Sequence, residues 1–84
     1  MAKSKPANTG WTTYPKGPGG SRNIAAVRWL HDGTESYLEV AFHSGKTYLY
    51  TGVPRTVYEA LLAAPSKGTY HARHIKWVYF FRQV

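Results

Sequence analysis

Two short turn signals, twelve residues apart, constrain this chain more than any other feature. They are Asp32-Gly33 and Ser44-Gly45, and pairs of this kind are typical of tight β-hairpins. The segments beside them alternate apolar and polar residues, as half-buried strands do. These segments are 23–31, 36–43 and 46–53. The sequence therefore predicts a three-stranded antiparallel meander.

The two turns also predict which residues face each other. A loop centred on Gly33-Thr34 pairs Arg28 with Glu39, and a two-residue loop at Ser44-Gly45 pairs Glu39 with Tyr50. One face of the sheet then collects the apolar side chains Ala25, Val27, Trp29, Leu38, Val40, Phe42 and Leu49. The opposite face collects Arg28, Tyr37, Glu39, His43, Lys46, Tyr48 and Tyr50. We expect the first face to form the core.

The rest of the chain predicts two helices and a further strand. Pro54 suits the first position of a main helix, and Pro65 ends it. Ser66 suits the N-cap of a shorter second helix over residues 67–75. Residues 76–84 read as a C-terminal strand with aromatic side chains on both faces, which predicts burial on both sides. The expected fold class is α+β.

The N-terminal segment differs in composition from the rest. Residues 1–21 are rich in Pro, Gly and Lys, which predicts a disordered basic tail ahead of one small domain over residues 22–84. The chain has no cysteine, which excludes disulfides and cysteine-based zinc sites. It has no apolar run long enough to span a membrane and no apolar stretch behind its first lysines. We therefore expect a cytoplasmic protein without a membrane partner.

Positive charge is concentrated at the two ends of the chain. The formal net charge is +7. Residues 1–22 hold four cations and no acid, residues 23–53 hold two cations against three acids, and residues 54–84 hold five cations against one acid. A small basic body attracts polyanions, so RNA, DNA or an acidic protein surface is the expected partner.

Residues 21–82 carry motifs that together resemble the KTSC domain. The motifs are Ser21…Ile24, the strand LEVAF, the pair Tyr48-x-Tyr50, the helix VP…VYEALL, and APSKGTY…IKWVY. That family is named for the C-terminus of some lysyl-tRNA synthetases and also occurs as small bacterial and phage proteins. The resemblance implies a single KTSC-like domain over residues 22–84, no established enzymatic activity, and an association with RNA. The basic tail and His71 depart from the common pattern.

The candidate site combines basic residues of the C-terminal third with the paired tyrosines. Aromatic side chains beside cations stack unpaired bases, so Tyr48 and Tyr50 either form such a platform or lie in the core beneath a helix. Ser66-Lys67-Gly68 at a helix start either receives a phosphate or is an ordinary cap. The predicted nucleic-acid-binding residues are Lys67, Tyr70, His71, Arg73, Lys76, Arg82, Tyr48 and Tyr50.

Metal binding and catalysis find little support in the sequence. His71 and His74 are three residues apart, but no acid or cysteine lies near them, so we predict no metal and no cofactor. We expect His71 and His74 instead to add pH-dependent charge to a basic surface. The four carboxylates show no catalytic pairing, and no activated nucleophile emerges, so we do not expect an enzyme.

These observations favour a non-catalytic module that binds RNA or single-stranded DNA. Lysines and arginines would contact phosphates, and exposed aromatic rings would stack bases. The alternative is a small phage or bacterial factor that binds and modulates a larger host enzyme. Such a factor would dock on an acidic surface with the same cations and an apolar anchor, Trp77 or Trp11.

Overall fold

The computed structural model describes residues 10–84 and contains one antiparallel sheet with two helices. Its elements are β1 (Thr12–Thr13), β2 (Ile24–His31), β3 (Ser36–Phe42), β4 (Thr47–Thr51), α1 (Arg55–Ala63), α2 (Lys67–His74) and β5 (Phe80–Gln83). The strand order follows the chain, from β1 at one edge to β5 at the other. The α+β class is confirmed, and the predicted meander corresponds to β2, β3 and β4. None of the helices over residues 10–84 is long and apolar enough to cross a membrane.

Structure is described ahead of the predicted domain boundary at residue 22. Residues 1–9 of the predicted tail lie outside the described residues. The remainder of that tail includes β1, whose Thr12 and Thr13 pair with Val27 and Ala26 of β2. Trp11 lies against the Arg28 guanidinium at 4.7 Å, and Tyr14 packs against the core. These two aromatic residues give the segment the apolar contacts that its Gly- and Pro-rich composition does not suggest.

The register predicted between β2 and β3 is confirmed. Arg28 pairs with Glu39, and Trp29 pairs with Leu38. The turn forms because the Asp32 carboxylate accepts hydrogen bonds from the backbone N–H groups of Thr34 and Glu35, at 2.9 and 2.7 Å. These two bonds also hold the pKa of the Asp32 carboxyl below its usual range.

The register predicted between β3 and β4 is wrong by one residue. Phe42 donates its N–H to the Lys46 carbonyl at 2.8 Å, so the loop has three residues and not two. Gly45 takes a φ of 97°, as the last residue of a three-residue hairpin loop does. The slip pairs Leu38 with Tyr50, and it turns the predicted polar tyrosine face toward the core.

The core lies between the two helices and one face of the sheet, which we call the helix face. A bulge near the start of β2 brings Ile24 to the helix face in place of the predicted Ala25. The buried core consists of Ile24, Val27, Leu38, Val40, Tyr50, Val53, Leu61 and Ile75. The other face, which we call the outer face, carries Arg28 paired with Glu39 at 2.5 Å and also Leu49. Leu49 was predicted in the core, and the same one-residue slip moves it out.

The last strand is an exposed edge and not the buried strand that was predicted. All four residues of β5 are exposed, and Phe80 is 89% exposed. The strand pairs with β4 on one side, and no described strand pairs with its other side. Helix α2 ends at His74, so it does not cover the strand.

The Gly45 conformation generates a testable prediction. Replacing Gly45 with Ala places a Cβ on a backbone with positive φ, which we expect to lower the free energy of unfolding by about 1 kcal/mol. Urea denaturation followed by circular dichroism measures the change. Ser44→Ala in the same exposed loop is the control, and we expect it to change little. Equal stability of Gly45→Ala and the natural protein would contradict the positive φ of Gly45.

Candidate functional site

A groove opens on the helix face, between the β3–β4 hairpin, α2 and β5. Its volume is about 660 Å3. Its aromatic walls come from three separate parts of the chain, and they are Phe42, Tyr48, Tyr50, Trp77 and Phe81. Edge-to-face contacts join neighbouring rings, with centroids 5.7 Å apart for Tyr48 and Phe81. The groove therefore presents ring faces and edges in a fixed arrangement.

Four cations surround these aromatic walls. They are Lys16 and Arg22 from the segment before β2, Lys46 from the hairpin, and Lys76 after α2. None of the carboxylates in the described chain lines the groove. Glu39 and Glu59 are held elsewhere by Arg28 and Arg55. The groove thus combines apolar rings with uncompensated positive charge.

The floor of the groove is a buried hydrogen bond between sheet and helix. The Tyr50 hydroxyl lies 2.7 Å from His71 Nε2, and both side chains are almost fully buried. Burial raises the pKa of Tyr50 to about 12. Burial, with the nearby Lys76 charge, lowers the pKa of His71 to about 4. At neutral pH the floor is therefore an uncharged pair.

This arrangement corrects two expectations about the site. His71 was expected on a basic surface as a pH-dependent charge, but it is a neutral core residue because it faces the sheet. Tyr50 was a candidate for stacking bases, but at 2% exposure it has no free ring face. Tyr48 is half-buried and lines the groove.

Trp77 lies beside the groove in an unusual backbone conformation. Its φ is 67°, and it is the one residue other than glycine with positive φ among residues 10–84. For a bulky residue this conformation costs on the order of 1–2 kcal/mol, so the surrounding structure must hold it. Buried Ile75 anchors the turn two residues earlier. The indole is 76% exposed, with Phe81 and the Lys76 ammonium both within 6 Å of its ring centre.

Three of the predicted site residues on α2 lie outside the groove. The Lys67 ammonium donates to the Ala64 carbonyl at 2.5 Å and lies over the Tyr14 ring, so it ties α2 to the end of α1. Tyr70 packs against the core, and Arg73 lines a separate depression near residues 20–23. Ser66 caps the helix as predicted, accepting the Thr69 N–H at 3.3 Å.

Arg82 lies on the opposite side of the sheet from the groove. It pairs with Leu49, whereas its neighbour Phe81 pairs with Tyr50 on the helix face. Side chains of consecutive strand residues point to opposite faces, so Arg82 projects from the outer face. Of the eight predicted site residues, the structure brings Tyr48, Tyr50, His71 and Lys76 together in the groove, places Lys67 and Arg73 at the separate depression, and leaves Tyr70 and Arg82 away from both.

The sequence reasoning missed six lysine, arginine, phenylalanine or tryptophan residues that line the groove. They are Lys16, Arg22, Phe42, Lys46, Trp77 and Phe81. Lys46 was placed on the same face as Tyr48 and Tyr50 but was not included in the predicted site, and Phe42 was assigned to the core. Lys16 was assigned to a disordered tail, and Trp77 was considered only as an anchor for protein docking. No cluster of three or more potential metal-ligating side chains occurs in the part of the chain that the structure describes.

Comparison with known proteins places the chain in a family. The sequence model of the KTSC domain matches residues 20–79, which is most of the chain. The chain belongs to the KTSC domain family. The match includes most of the groove residues and ends before Phe81.

Two similar proteins extend this finding. The crystal structure of a KTSC domain protein from Yersinia pestis has a TM-score of 0.68 and 28% sequence identity, covering 88% of this chain and 97% of that one. The lysine–tRNA ligase of Trichormus variabilis is 41% identical over 56 residues, which are 67% of this chain. The similarity spans only 10% of the ligase. This chain is thus similar to nearly the whole of a small protein in one case and to a short part of a much longer enzyme in the other.

The buried His71 makes stability depend on pH. Its pKa is lower in the folded chain than in the unfolded chain, so the unfolded state gains the proton first as pH falls. We expect full stability above about pH 6.5 and a loss on the order of 3 kcal/mol by about pH 4. Urea unfolding at several pH values measures this loss of stability.

His71→Gln should flatten the dependence of stability on pH below pH 6.5. His74→Gln, which alters an exposed histidine, is the control and should leave that dependence unchanged. If His71→Gln loses stability with falling pH as steeply as the natural protein, His71 is not the group responsible.

Proposed function

We propose that this KTSC domain binds single-stranded nucleic acid, RNA or single-stranded DNA, in the groove and without catalysis. One observation carries the proposal: aromatic side chains and four cations line the same groove, and no carboxylate lines it. Unpaired bases stack on aromatic rings, and phosphates pair with lysine and arginine, so both parts of a nucleotide find matching groups.

The contacts favour single strands over duplexes. Base–aromatic stacking contributes about 1–3 kcal/mol per base, but it requires that the base leave its neighbours. The exposed indole of Trp77 and the half-buried ring of Tyr48 are available for such stacking. A duplex keeps its bases stacked on each other and offers these rings only its backbone.

The relatives support RNA as one ligand class. One of them is named as a lysine–tRNA ligase, an enzyme that acts on an RNA. The part of it that resembles this chain is only 10% of its length, so its ligase activity does not transfer. An RNA ligand and the similarity to a lysine–tRNA ligase both favour the cytoplasm as the place where this domain acts.

The groove also supports a binding role in place of a catalytic one. Asp32 accepts hydrogen bonds in a turn, Glu39 pairs with Arg28, and Glu59 pairs with Arg55. These acids serve the fold and lie away from the aromatic walls. The His71 imidazole forms part of the groove floor, where its Nε2 contacts the Tyr50 hydroxyl, and its lowered pKa makes it a weak base near neutral pH.

The groove cations can be tested by salt dependence. A labelled single-stranded RNA or DNA is titrated with the protein at several salt concentrations. We expect affinity to fall steeply with salt, and Lys46→Ala to reduce the log–log slope by about 0.7. Arg55→Ala removes the same charge from outside the groove and should leave the slope closer to that of the natural protein. Absence of binding at low salt would refute the proposal and favour docking on an acidic protein.

Trp77 provides a test of stacking that is independent of charge. Trp77→Ala should weaken single-strand binding by roughly 5- to 150-fold, as the loss of one base–aromatic stack does. Trp11→Ala removes a tryptophan on the far side of the sheet and serves as the matched control. The same oligonucleotide annealed to its complement should bind more weakly than the single strand. Equal affinity of Trp77→Ala and Trp11→Ala would remove stacking from the proposal.

A further inference from the structure

The two edges of the sheet differ in how they are protected. Strand β1 has two residues, both threonine, and Pro15 follows soon after it. Short strands and prolines are ordinary protection against pairing with another chain. Strand β5 is longer, and its sequence is FFRQ. No described part of the chain covers its free side.

Exposed apolar side chains gather at this unprotected edge. Over residues 10–84, the exposed large apolar side chains are Trp77, Val78, Phe80, Phe81 and Val84. All five fall within the last eight residues. A cluster of this kind beside an open strand edge marks a surface that another chain covers.

The hydrogen bonds to β4 determine which backbone groups remain free. Val84 donates its N–H to the Thr47 carbonyl at 2.9 Å. Because bonding alternates along an antiparallel pair, Arg82 and Phe80 also bond toward β4. The N–H and C=O groups of Phe81 and Gln83 therefore point away from the sheet. They offer two donors and two acceptors in the spacing that another strand requires.

We propose that a second copy of this chain pairs with β5 in antiparallel orientation, with Phe81 on the two-fold axis. In this register Phe81 and the partner's Phe81 exchange two backbone hydrogen bonds. Arg82 on the outer face lies opposite the partner's Phe80, and the reverse contact occurs across the axis. Each guanidinium thus meets an aromatic ring and not another cation.

The charges select this register for the second copy. With a net charge of +7, two copies repel unless their cations are kept apart. An axis through Arg82 would place the two guanidinium groups directly opposite each other, which destabilises a strand pair. The axis through Phe81 avoids this and is self-complementary, as a two-fold interface must be.

The contact area indicates a weak dimer. Burial of an aromatic side chain removes about 150–250 Å2 of surface, so the exposed parts of Phe80 and Phe81 together offer roughly 250 Å2 per copy. A stable interface of standard size buries about 800 Å2 per partner. We therefore expect dimers that form at micromolar to millimolar concentration and separate on dilution.

Pairing at β5 also brings two grooves together. A two-fold axis perpendicular to the sheet keeps both helix faces on the same side. Phe81 lines the groove of its own chain, so it and the partner's Phe81 would separate two adjacent grooves. The suggestion that the two grooves form one binding surface rests on the proposed function, whereas the pairing of the two β5 strands does not.

Sedimentation equilibrium of the protein without nucleic acid tests the pairing. The natural chain should change from its monomer mass of 9.5 kDa to twice that mass as concentration rises. Gln83→Pro removes an N–H that points away from β4, so it should weaken dimerisation at least tenfold and leave the fold intact. Gln83→Ala keeps that N–H and is the matched control. Circular dichroism confirms folding of each variant.

A charge exchange tests the register. Phe80→Arg alters a side chain that is 89% exposed, and it should abolish dimers by opposing two arginines. The double variant Phe80→Arg with Arg82→Phe restores an arginine opposite an aromatic ring and should restore the dimer. A natural chain that stays at 9.5 kDa at millimolar concentration, or a Gln83→Pro variant that still dimerises like Gln83→Ala, would overturn the proposal. Loss of dimers in Phe80→Arg without rescue would overturn this register.

Because the mass is measured without nucleic acid, failure of dimerisation and failure of nucleic-acid binding are separate results. A dimer that binds no oligonucleotide would leave the pairing intact and refute the proposed function. A protein that stays monomeric and binds oligonucleotide would refute the pairing and leave the proposed function intact.

Discussion

The hydrogen bond between the Tyr50 hydroxyl and the His71 imidazole joins the sheet to α2, and the groove depends on it. Tyr50 reaches α2 because the three-residue loop at Gly45 turns it to the helix face. His71 reaches the sheet because Ser66 begins the helix five residues earlier. Neither group would stay buried alone, since an unpaired polar group in the core costs about 1–3 kcal/mol. Their contact therefore fixes how closely α2 approaches the sheet, and so the depth of the groove.

The sequence predicted those parts of the fold that local chemistry specifies. The turn after β2 was placed correctly because the short Asp32 side chain readily accepts hydrogen bonds from the N–H groups of Thr34 and Glu35, which follow it closely. Ser66 was recognised as a cap for the same reason. The turn at Gly45 was misplaced because a glycine with positive φ occurs in hairpin loops of two and of three residues. A difference of one residue in the length of this loop decides which face of the sheet carries Tyr48 and Tyr50.

The candidate site was harder to predict because its members are far apart in sequence. The basic stretch from Lys67 to Lys76 looked like one surface. A helix distributes such residues around its axis, so His71 turns to the core, whereas Lys67 and Arg73 line a different depression and Lys67 also bonds to the end of α1. The groove takes its cations from four distant positions. Only the packing of the folded chain brings these four cations together, and no local pattern in the sequence predicts their proximity.

His71 also has a second part in the structure through its backbone. Its carbonyl accepts the N–H groups of both Ile75 and Lys76, at 3.1 and 2.9 Å, and so closes the turn that leads to Trp77. One residue therefore supports the core through its side chain and the aromatic mouth of the groove through its main chain. Every residue type carries this carbonyl, so a substitution at position 71 keeps the turn to Trp77 as long as α2 stays in place. What such a substitution removes is the side-chain contact with Tyr50, and with it the attachment of α2 to the sheet.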